Sequence, residues 1–589
     1  MSDVLRIANG SGFWGDRFTG PEEMVRGGPI DVLTGDYLAE LTMAILHRAR
    51  QKNPQAGFVP TFLQQLERVL RECLDRGIRV VSNAGGLNPR GLAEAISALA
   101  QRLGLSPKVA FVDGDDLLPR LDELRRAGEP LAHLEHGTPL AASGLAPVTA
   151  NAYLGGWGIR EALARGADIV VTGRVTDAAL VVGPSAWRFD WRRDDWDRLA
   201  GAVAAGHLIE CSAQVTGGNY AFFEEVPSLR AIGFPIAEMH ADGSFVITKH
   251  PGTGGLVSVG TVTAQLLYEI QSARYVNPDV TARFDTLTLA DDGPDRVRVS
   301  GTRGEPPPPT TKVCLNHFGG YRNSMTVLLA GLDVEKKAQL VEETLFDTLG
   351  GKGQFTEVAT RLERMDRPDP SRNEDALAQL RITVRSPDRD RVGRRFSSAV
   401  VEQALSTVPG FASRTPPEDA TPYLVYWPAL VDSRLVPHLV HVAGETIAIE
   451  PPPAGVQPVD IVVRDVPALP PARSEPALHV PFGRAFGARS GDKGGNANLG
   501  VWARSDAGWA FLRAFLTVER LQSLLPDTAG FRVERHELPN LRALNFVLHD
   551  FLGEGVASST RADPQAKTLG EYLRCKPVAL PRSLIDGAV

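Results

Sequence analysis

The sequence predicts an α/β protein: a mainly parallel, three-layer N-terminal domain with a mixed central region, followed by a small α+β domain. Three observations carry this. Up to about residue 190, short apolar runs end in Gly/Asn/Asp loops and give way to amphipathic helical patterns. Apolar and polar residues alternate through 283–316 (FDTLTL, VRVSG, KVCLN), as in antiparallel strands. A proline-rich stretch, 451–476, then reads as a linker before a segment with its own pattern.

The elements follow in order. Residues 4–8 form a strand ending in Asn9-Gly10-Ser11-Gly12. Residues 78–81 end in Ser82-Asn83-Ala84-Gly85-Gly86, and Asn88-Pro89 opens a helix carrying Leu92, Ile96, Leu99 and Leu103. Residues 109–112 end in Asp113-Gly114-Asp115-Asp116, and 168–171 in Thr172-Gly173-Arg174-Val175-Thr176-Asp177. In parallel sheets the loops after the strands share one edge, where ligands bind, so Asn9, Asn83, Asp113, Arg174 and Asp177 are expected to converge. Asn88 and Asp115 read as cap or turn residues.

Trp187, Trp191 and Trp196 interleave with arginines whose charge Asp190, Asp194, Asp195 and Asp197 cancel. This reads as a surface segment packed by its tryptophans. Helices are expected over 333–346 and 399–406, and 305–309 as an extended connection. In the last segment, strands at 485–488, 499–503, 531–538 and 544–548 with helices around Trp509 and Leu569 make an α+β sandwich close to ferredoxin-like. The domains are thus 4–450, the linker 451–476, and 477–585.

The 589 residues are 43% hydrophobic and 23% charged with net charge −7, an ordinary globular composition without a basic field for nucleic acid. No apolar run reaches the ~20 residues of a membrane span, and the N-terminus lacks a signal pattern. Cys73, Cys211, Cys314 and Cys575 form no CxxC pair, which fits a reducing cytoplasm.

The first place to expect an anion is 244–260, SFVITKHPGTGGLVSVG. Lys249 and His250 end a strand; Gly252, Gly254 and Gly255 leave amides without side chains; Ser258 is a good N-cap for the following helix. The alternative is a turn whose glycines serve geometry. His207, Glu210 and Cys211 lie close to Gly217-Gly218-Asn219, a credible piece of an active site, although Cys211 itself reads as buried and inert. Asp492-Lys493-Gly494-Gly495-Asn496 is a second anion nest, or else a hairpin tip with a surface ion pair. Metal is unsupported: His133-Leu134-Glu135-His136 and the pair His438 and His441 are weak ligand spacings. Gly10, Gly12 and Gly15 mimic GxGxxG, but no helix begins there, and no GxSxG elbow exists.

The motifs GSGFWGDR, GPIDVLTGDYLAELTMAIL, VVSNAGGLNPRG, VTGRVTDAAL, GHLIECSAQVTGGN, FPIAEMHADGSFVITKHPGTGGLVSVGTVTAQLLYEI and ARSGDKGGNANLG resemble, in this order, the AtuA (acyclic terpene utilisation) family. The resemblance implies a core over about 4–450 and a ferredoxin-fold domain over about 478–580. It also implies a setting in acyclic isoprenoid and branched acyl-CoA breakdown, and it assigns no residue a role.

The residues themselves suit acid–base chemistry on an activated acid. The candidate catalytic residues are Lys249, His250, Asp177, Glu210 and His207. Those for substrate binding are Asn9, Asn83, Arg174, Gly252, Gly254, Gly255, Asn219, Asp492, Lys493 and Asn496. The expectation is a cytoplasmic homo-oligomer that acts on a carboxylate or acyl-CoA without metal or identified cofactor, and has no nucleic-acid or membrane partner. The reaction would be hydration, isomerisation or C–C cleavage. A non-catalytic binding or assembly protein is the alternative.

Overall fold

The computed structural model describes residues 3–453 and 476–586. Most of the expected linker, 451–476, therefore lies outside the described residues. The chain divides into two compact units. One comprises Met1–Leu315, Tyr426–Val556 and Gln565–Val589; the other comprises Asn316–Val425 and Ala557–Pro564. The small C-terminal domain belongs to the first.

The first unit is built on an eleven-stranded sheet. In chain order its strands are β1 (Val4–Asn9), β2 (Val32–Gly35), β3 (Arg79–Ser82), β4 (Val109–Asp113) and β5 (Ile169–Thr172), then β6 (Pro235–His240) and β7 (Phe245–Lys249). Next come β8 (Thr288–Asp291), β9 (Val297–Ser300), β10 (Leu439–Val442) and β11 (Glu445–Ala448). The spatial order is β8-β9-β7-β6-β1-β2-β3-β5-β4-β10-β11. Only the five central strands, β1-β2-β3-β5-β4, run parallel to one another. Antiparallel strands extend both sides, so the sheet as a whole is mixed. The parallel region is narrower than the sequence suggested because β6–β7 and β8–β9 are antiparallel hairpins, and β9 pairs antiparallel with β7.

Alternate residues of the central strands feed two apolar clusters. Ile7, Val81 and Val170 join the cluster of the helices Trp157–Ala164, Ala179–Phe189 and Trp196–Ile209. Ala8, Val80 and Val171 join that of Gly20–Gly27, Pro60–Asp75 and Pro89–Arg102. This is the period of two that a strand buried on both faces requires. The last of these helices starts as expected: the Asn88 side chain accepts from Gly91 N at 2.9 Å ahead of Pro89. Trp191 is buried, with its indole N–H on the Ala241 carbonyl at 3.0 Å, which confirms packing as the role of that segment.

The small domain is a four-stranded antiparallel sheet, Phe486–Lys493, Asn496–Ala503, Ala543–Leu548 and Val533–Leu538 in spatial order. Trp509, Leu512 and Leu573 from its helices cover one face. The expected loop 489–498 is instead mostly strand, and the glycines form a two-residue hairpin turn between Lys493 and Asn496, with Gly494 at φ +65°. Gly491 and Gly500 let the sheet lie against the core: a Cβ on either would fall 2.5 Å from Tyr268 or Leu267.

In the second unit, Leu377–Ser386 pairs antiparallel with Glu357–Glu363 and with residues 321–330. The helices Val334–Leu349 and Arg394–Glu402 bury Val341, Leu345 and Phe396 against Met325 and Ile382. Among the described residues no helix is long and apolar enough to cross a membrane.

Candidate functional site

The carboxyl ends of the five parallel strands do converge. Asn9 ends β1, Asp36 follows β2, Asn83 follows β3 and Arg174 follows β5. Asn9 donates from Nδ2 to the carbonyls of Ile209 (2.5 Å) and Glu210 (3.2 Å), occupying acceptors that the C-terminus of helix Trp196–Ile209 leaves open. It thereby fixes the helix end that carries His207 and Glu210. Arg174 Nη1 donates to the Leu38 carbonyl at 2.8 Å and lies 3.1 Å from Asp177 Oδ1, while its guanidinium stands 4.3 Å from the Tyr153 ring centroid. Its own backbone N–H is held by buried Asp115 at 2.9 Å. Asp113 stands apart, with Oδ1 2.8 Å from His441 Nε2.

These strand ends open onto a cavity of about 1360 Å³, closed on its far side by the small domain. Asp36, Asp177, Glu210, Glu269 and Asp492 line it together with the cations Arg174, Lys312, Arg489, Lys493 and Lys567. Several cations rest on tyrosine faces: Arg489 and Lys567 over Tyr268 at 4.3 and 4.5 Å, and Lys493 over Tyr275 at 6.0 Å. Phe13, Leu41, Ile45, Leu134, Val276 and Leu430 also line the cavity and are among the chain's exposed large apolar side chains. An apolar rim around a polar floor suits an amphiphile.

The floor holds a buried acid–imidazole pair. His207 is wholly buried, and its Nε2 lies 3.0 Å from the Gln265 carbonyl, so Nε2 carries the proton and donates. Burial, with Lys493 adding to it, pushes His207 down to about 4, so the ring is neutral and Nδ1 is a bare acceptor. Glu210 Oε1 is 3.2 Å from that Nδ1. Burial, Asp177 and Glu269 raise the Glu210 carboxyl well above its usual range. The proton of the pair therefore belongs to Glu210, and Oε2 is buried with no hydrogen-bond partner.

The small domain shapes this floor. Asn498 Oδ1 accepts from Glu269 N at 2.8 Å, and the Asn498 and Asn545 amides donate to the Ile270 carbonyl at 3.2 and 3.1 Å. Glu269 adopts φ +57°, a left-handed conformation that these contacts hold.

A family model for the acyclic terpene utilisation protein AtuA matches residues 5–442, and one for the AtuA ferredoxin-like domain matches 482–579. The chain belongs to the AtuA family. Comparison with curated proteins yields no match. Membership associates this AtuA chain with acyclic terpene utilisation and identifies its small domain as ferredoxin-like.

Of the residues singled out from the sequence, Arg174, Asp177, Glu210, Asn219, Asp492 and Lys493 line the cavity. His207, Asn9, Asn83 and Asn496 stand behind it. Asn496 donates to Glu135 Oε1 at 2.9 Å and accepts from Asp550 N, so it positions a lining carboxylate. The segment from Lys249 to Gly255 does not join them. Lys249 Nζ pairs with Asp295 at 3.0 Å, and His250 Nε2 donates to the Met24 carbonyl at 2.9 Å. Two of the three amides expected to be bare are engaged: Gly254 N donates to the Ala231 carbonyl and Gly255 N to that of Ser228. Their glycines serve close approach, since a Cβ would meet the Arg230 or Thr216 carbonyl oxygen at 2.4 or 2.5 Å. Gly252 has open space around its α-carbon and lies outside the cavity lining. Ser258 caps the next helix as read, accepting from Thr261 N at 3.2 Å. His133 and His136 stack on each other with centroids 3.8 Å apart, and no three-ligand metal cluster occurs among the described residues.

Sequence reasoning missed Asp36, Glu269, Tyr268, Tyr275, Arg489 and Lys567. Asp36 had a legible signal, because Val-Leu-Thr-Gly-Asp is another short apolar run ending in Gly-Asp. The others meet only through the small domain.

Proposed function

We propose that the protein catalyses acid–base chemistry beside the carbonyl of an acyl-CoA or hydroxy acid in acyclic terpene and branched acyl breakdown, by hydration, isomerisation or C–C cleavage. The observation that carries this reading is the buried Glu210–His207 pair, 3.2 Å apart, in the floor of an apolar-rimmed cavity. The Glu210 carboxyl, which lines the cavity, accepts a proton from substrate while its own proton passes to His207 Nδ1, 3.2 Å from Oε1, and the reverse transfer returns it. One proton enters and one moves, so the pair ends with a charge that Asp177 and Glu269 offset. A carboxyl tuned upward in this way works near neutral pH, where general acid–base catalysis contributes about 10²–10⁴-fold. Lys493 and Arg174 favour the ionised form of Glu210, and both line the same cavity. The rim of Phe13, Leu41 and Ile45 supports an apolar, branched acyl chain.

The test is incubation of the purified protein with branched enoyl-CoA and 3-hydroxyacyl-CoA thioesters in D₂O, following deuterium uptake by mass spectrometry. Uptake that falls about 100-fold or more in Glu210→Gln supports the reading. Binding by calorimetry with neither uptake nor turnover would leave the protein as a carboxylate- or acyl-CoA-binding member of the same process.

A further inference from the structure

Asp36 is buried just past β2, at the cavity wall and outside the Glu210–His207 pair. Its surroundings fix both the orientation of its carboxyl and the place of its proton. The Tyr37 backbone N–H donates to Asn83 Oδ1 at 2.8 Å, and since a backbone amide can only donate, the Asn83 side chain has one admissible orientation. Asn83 Nδ2 therefore donates to Asp36 Oδ1, at 2.6 Å. Leu38 N donates to the same oxygen at 3.2 Å. Among the described residues no hydrogen bond or ion pair reaches Oδ2.

We infer that Asp36 is a carboxylic acid with its proton on Oδ2, and that it serves as the hydrogen-bond donor to the carbonyl oxygen of the substrate. With Oδ1 accepting two N–H groups and Oδ2 accepting none, the proton of a neutral Asp36 sits on Oδ2, the oxygen left to face the cavity. Asp177 and Arg174 are the charged groups facing Asp36, with the Glu210 carboxyl beside them. Burial first and Asp177 second oppose its ionisation, against Arg174 and the Asn83 contact, and the carboxyl is raised well above its usual range. A carboxylate in this position would repel a developing enolate. The neutral acid donates to it, and such O–H···O⁻ bonds are about twice as strong as neutral ones. The inference rests on the proposed chemistry at Glu210 and adds its electrophilic partner: Glu210 takes the proton while Asp36 holds the oxygen that gains charge. No bond to Asp36 forms or breaks.

Asp36→Asn keeps both accepted bonds through Asn Oδ1 and sets an NH₂, still a donor, where the hydroxyl stood, so it isolates the carboxyl signal; Asp36→Ala removes the donor itself. Infrared difference spectra of wild type against Asp36→Asn at pH 7 should lose a neutral-carboxyl C=O band, distinct from the band lost in Glu210→Gln. On the same proteins, 4-nitrophenol serves as a probe whose anionic oxygen and apolar ring mimic an enolate. Its affinity should fall at least tenfold in Asp36→Ala and stay closer to wild type in Asp36→Asn, whose NH₂ still donates. A carboxylate signal for Asp36 at pH 7, or equal 4-nitrophenol affinity in wild type and Asp36→Ala, overturns the inference. Loss of the band and of probe affinity in a protein that exchanges no deuterium with thioesters upholds the donor at Asp36 and rejects the catalytic reading alone.

Discussion

Replacing Asp115 with asparagine should change how stability depends on pH. Asp115 is 2% exposed, and its Oδ2 accepts from Arg174 N at 2.9 Å and Asn151 Nδ2 at 2.8 Å. Those bonds favour the charged form, yet burial outweighs them and pushes the carboxyl from 3.8 up to about 7. Between these values the unfolded chain has released the proton and the native state has kept it. Native stability from this group is therefore fully present below about pH 4 and is lost as pH rises to about 7. At 1.36 kcal/mol per unit, the loss is about 4 kcal/mol over that window. Asparagine cannot ionise, and its Oδ1 accepts both existing bonds. Its NH₂ enters a buried place at a cost of about 1–3 kcal/mol when unpartnered. The variant should thus be less stable than wild type at pH 4.5 and more stable at pH 8. Urea unfolding followed by tryptophan fluorescence at several pH values gives the two curves, which should cross. Other buried acids, Asp36, Glu210 and Asp279 among them, contribute equally to both proteins and cancel in the difference. Curves that run parallel from pH 4.5 to 8 would refute the reasoning.

Asn498→Leu removes the acceptor that holds Glu269 and should cost about 1–3 kcal/mol, read as a lower urea midpoint, with weaker ligand affinity because Glu269 lines the cavity. Lys493→Met removes a cation that favours ionised Glu210 and that opposes protonation of His207. The Glu210 neutral-carboxyl band should therefore persist to higher pH than in wild type. Leu41→Asp, at an exposed rim position, should leave stability within about 0.5 kcal/mol while weakening binding of a branched acyl-CoA measured by calorimetry. Gly495→Ala places a Cβ 2.2 Å from the Gly553 carbonyl oxygen, so the hairpin must shift, and thermal melting should show it as a loss of stability.

The parts of this fold legible in the sequence were those in which local pattern and tertiary role agree. The strands at residues 4, 79, 109 and 169 each end in a loop of Asn, Asp and Gly, and their loops meet at one edge as parallel topology demands. β2 escaped although it has the same four-residue length as β3 and β5 and ends in the same kind of Gly-Asp loop, and Asp36 was lost with it. At 249–255 the composition of an anion loop and that of a close backbone crossing are the same, and only the carbonyls of Ser228 and Ala231 distinguish them. The run 489–498 looked like a loop because it holds three glycines. Gly491 instead marks the contact of a strand with Tyr268, a partner more than two hundred residues away.

That contact also explains why the site needs its second domain. The core's strand ends supply Asp36, Asn83 and Arg174, which set charge and orientation on one side. The side chains that tune Glu210 from the other side are Glu269, held by Asn498, and Lys493, carried on the hairpin. One raises the carboxyl and the other lowers it, so the protonation of Glu210 depends on the small sheet being seated against Leu267 and Tyr268. A loosely docked small domain would relax Glu269 out of its left-handed backbone and withdraw Lys493 together. The residual site would keep its cavity floor but lose the balance that keeps one proton between Glu210 and His207. Docking and acid–base tuning are in this sense a single equilibrium, and substitutions at Gly500 or Gly491 that pry the sheet away should act on both at once.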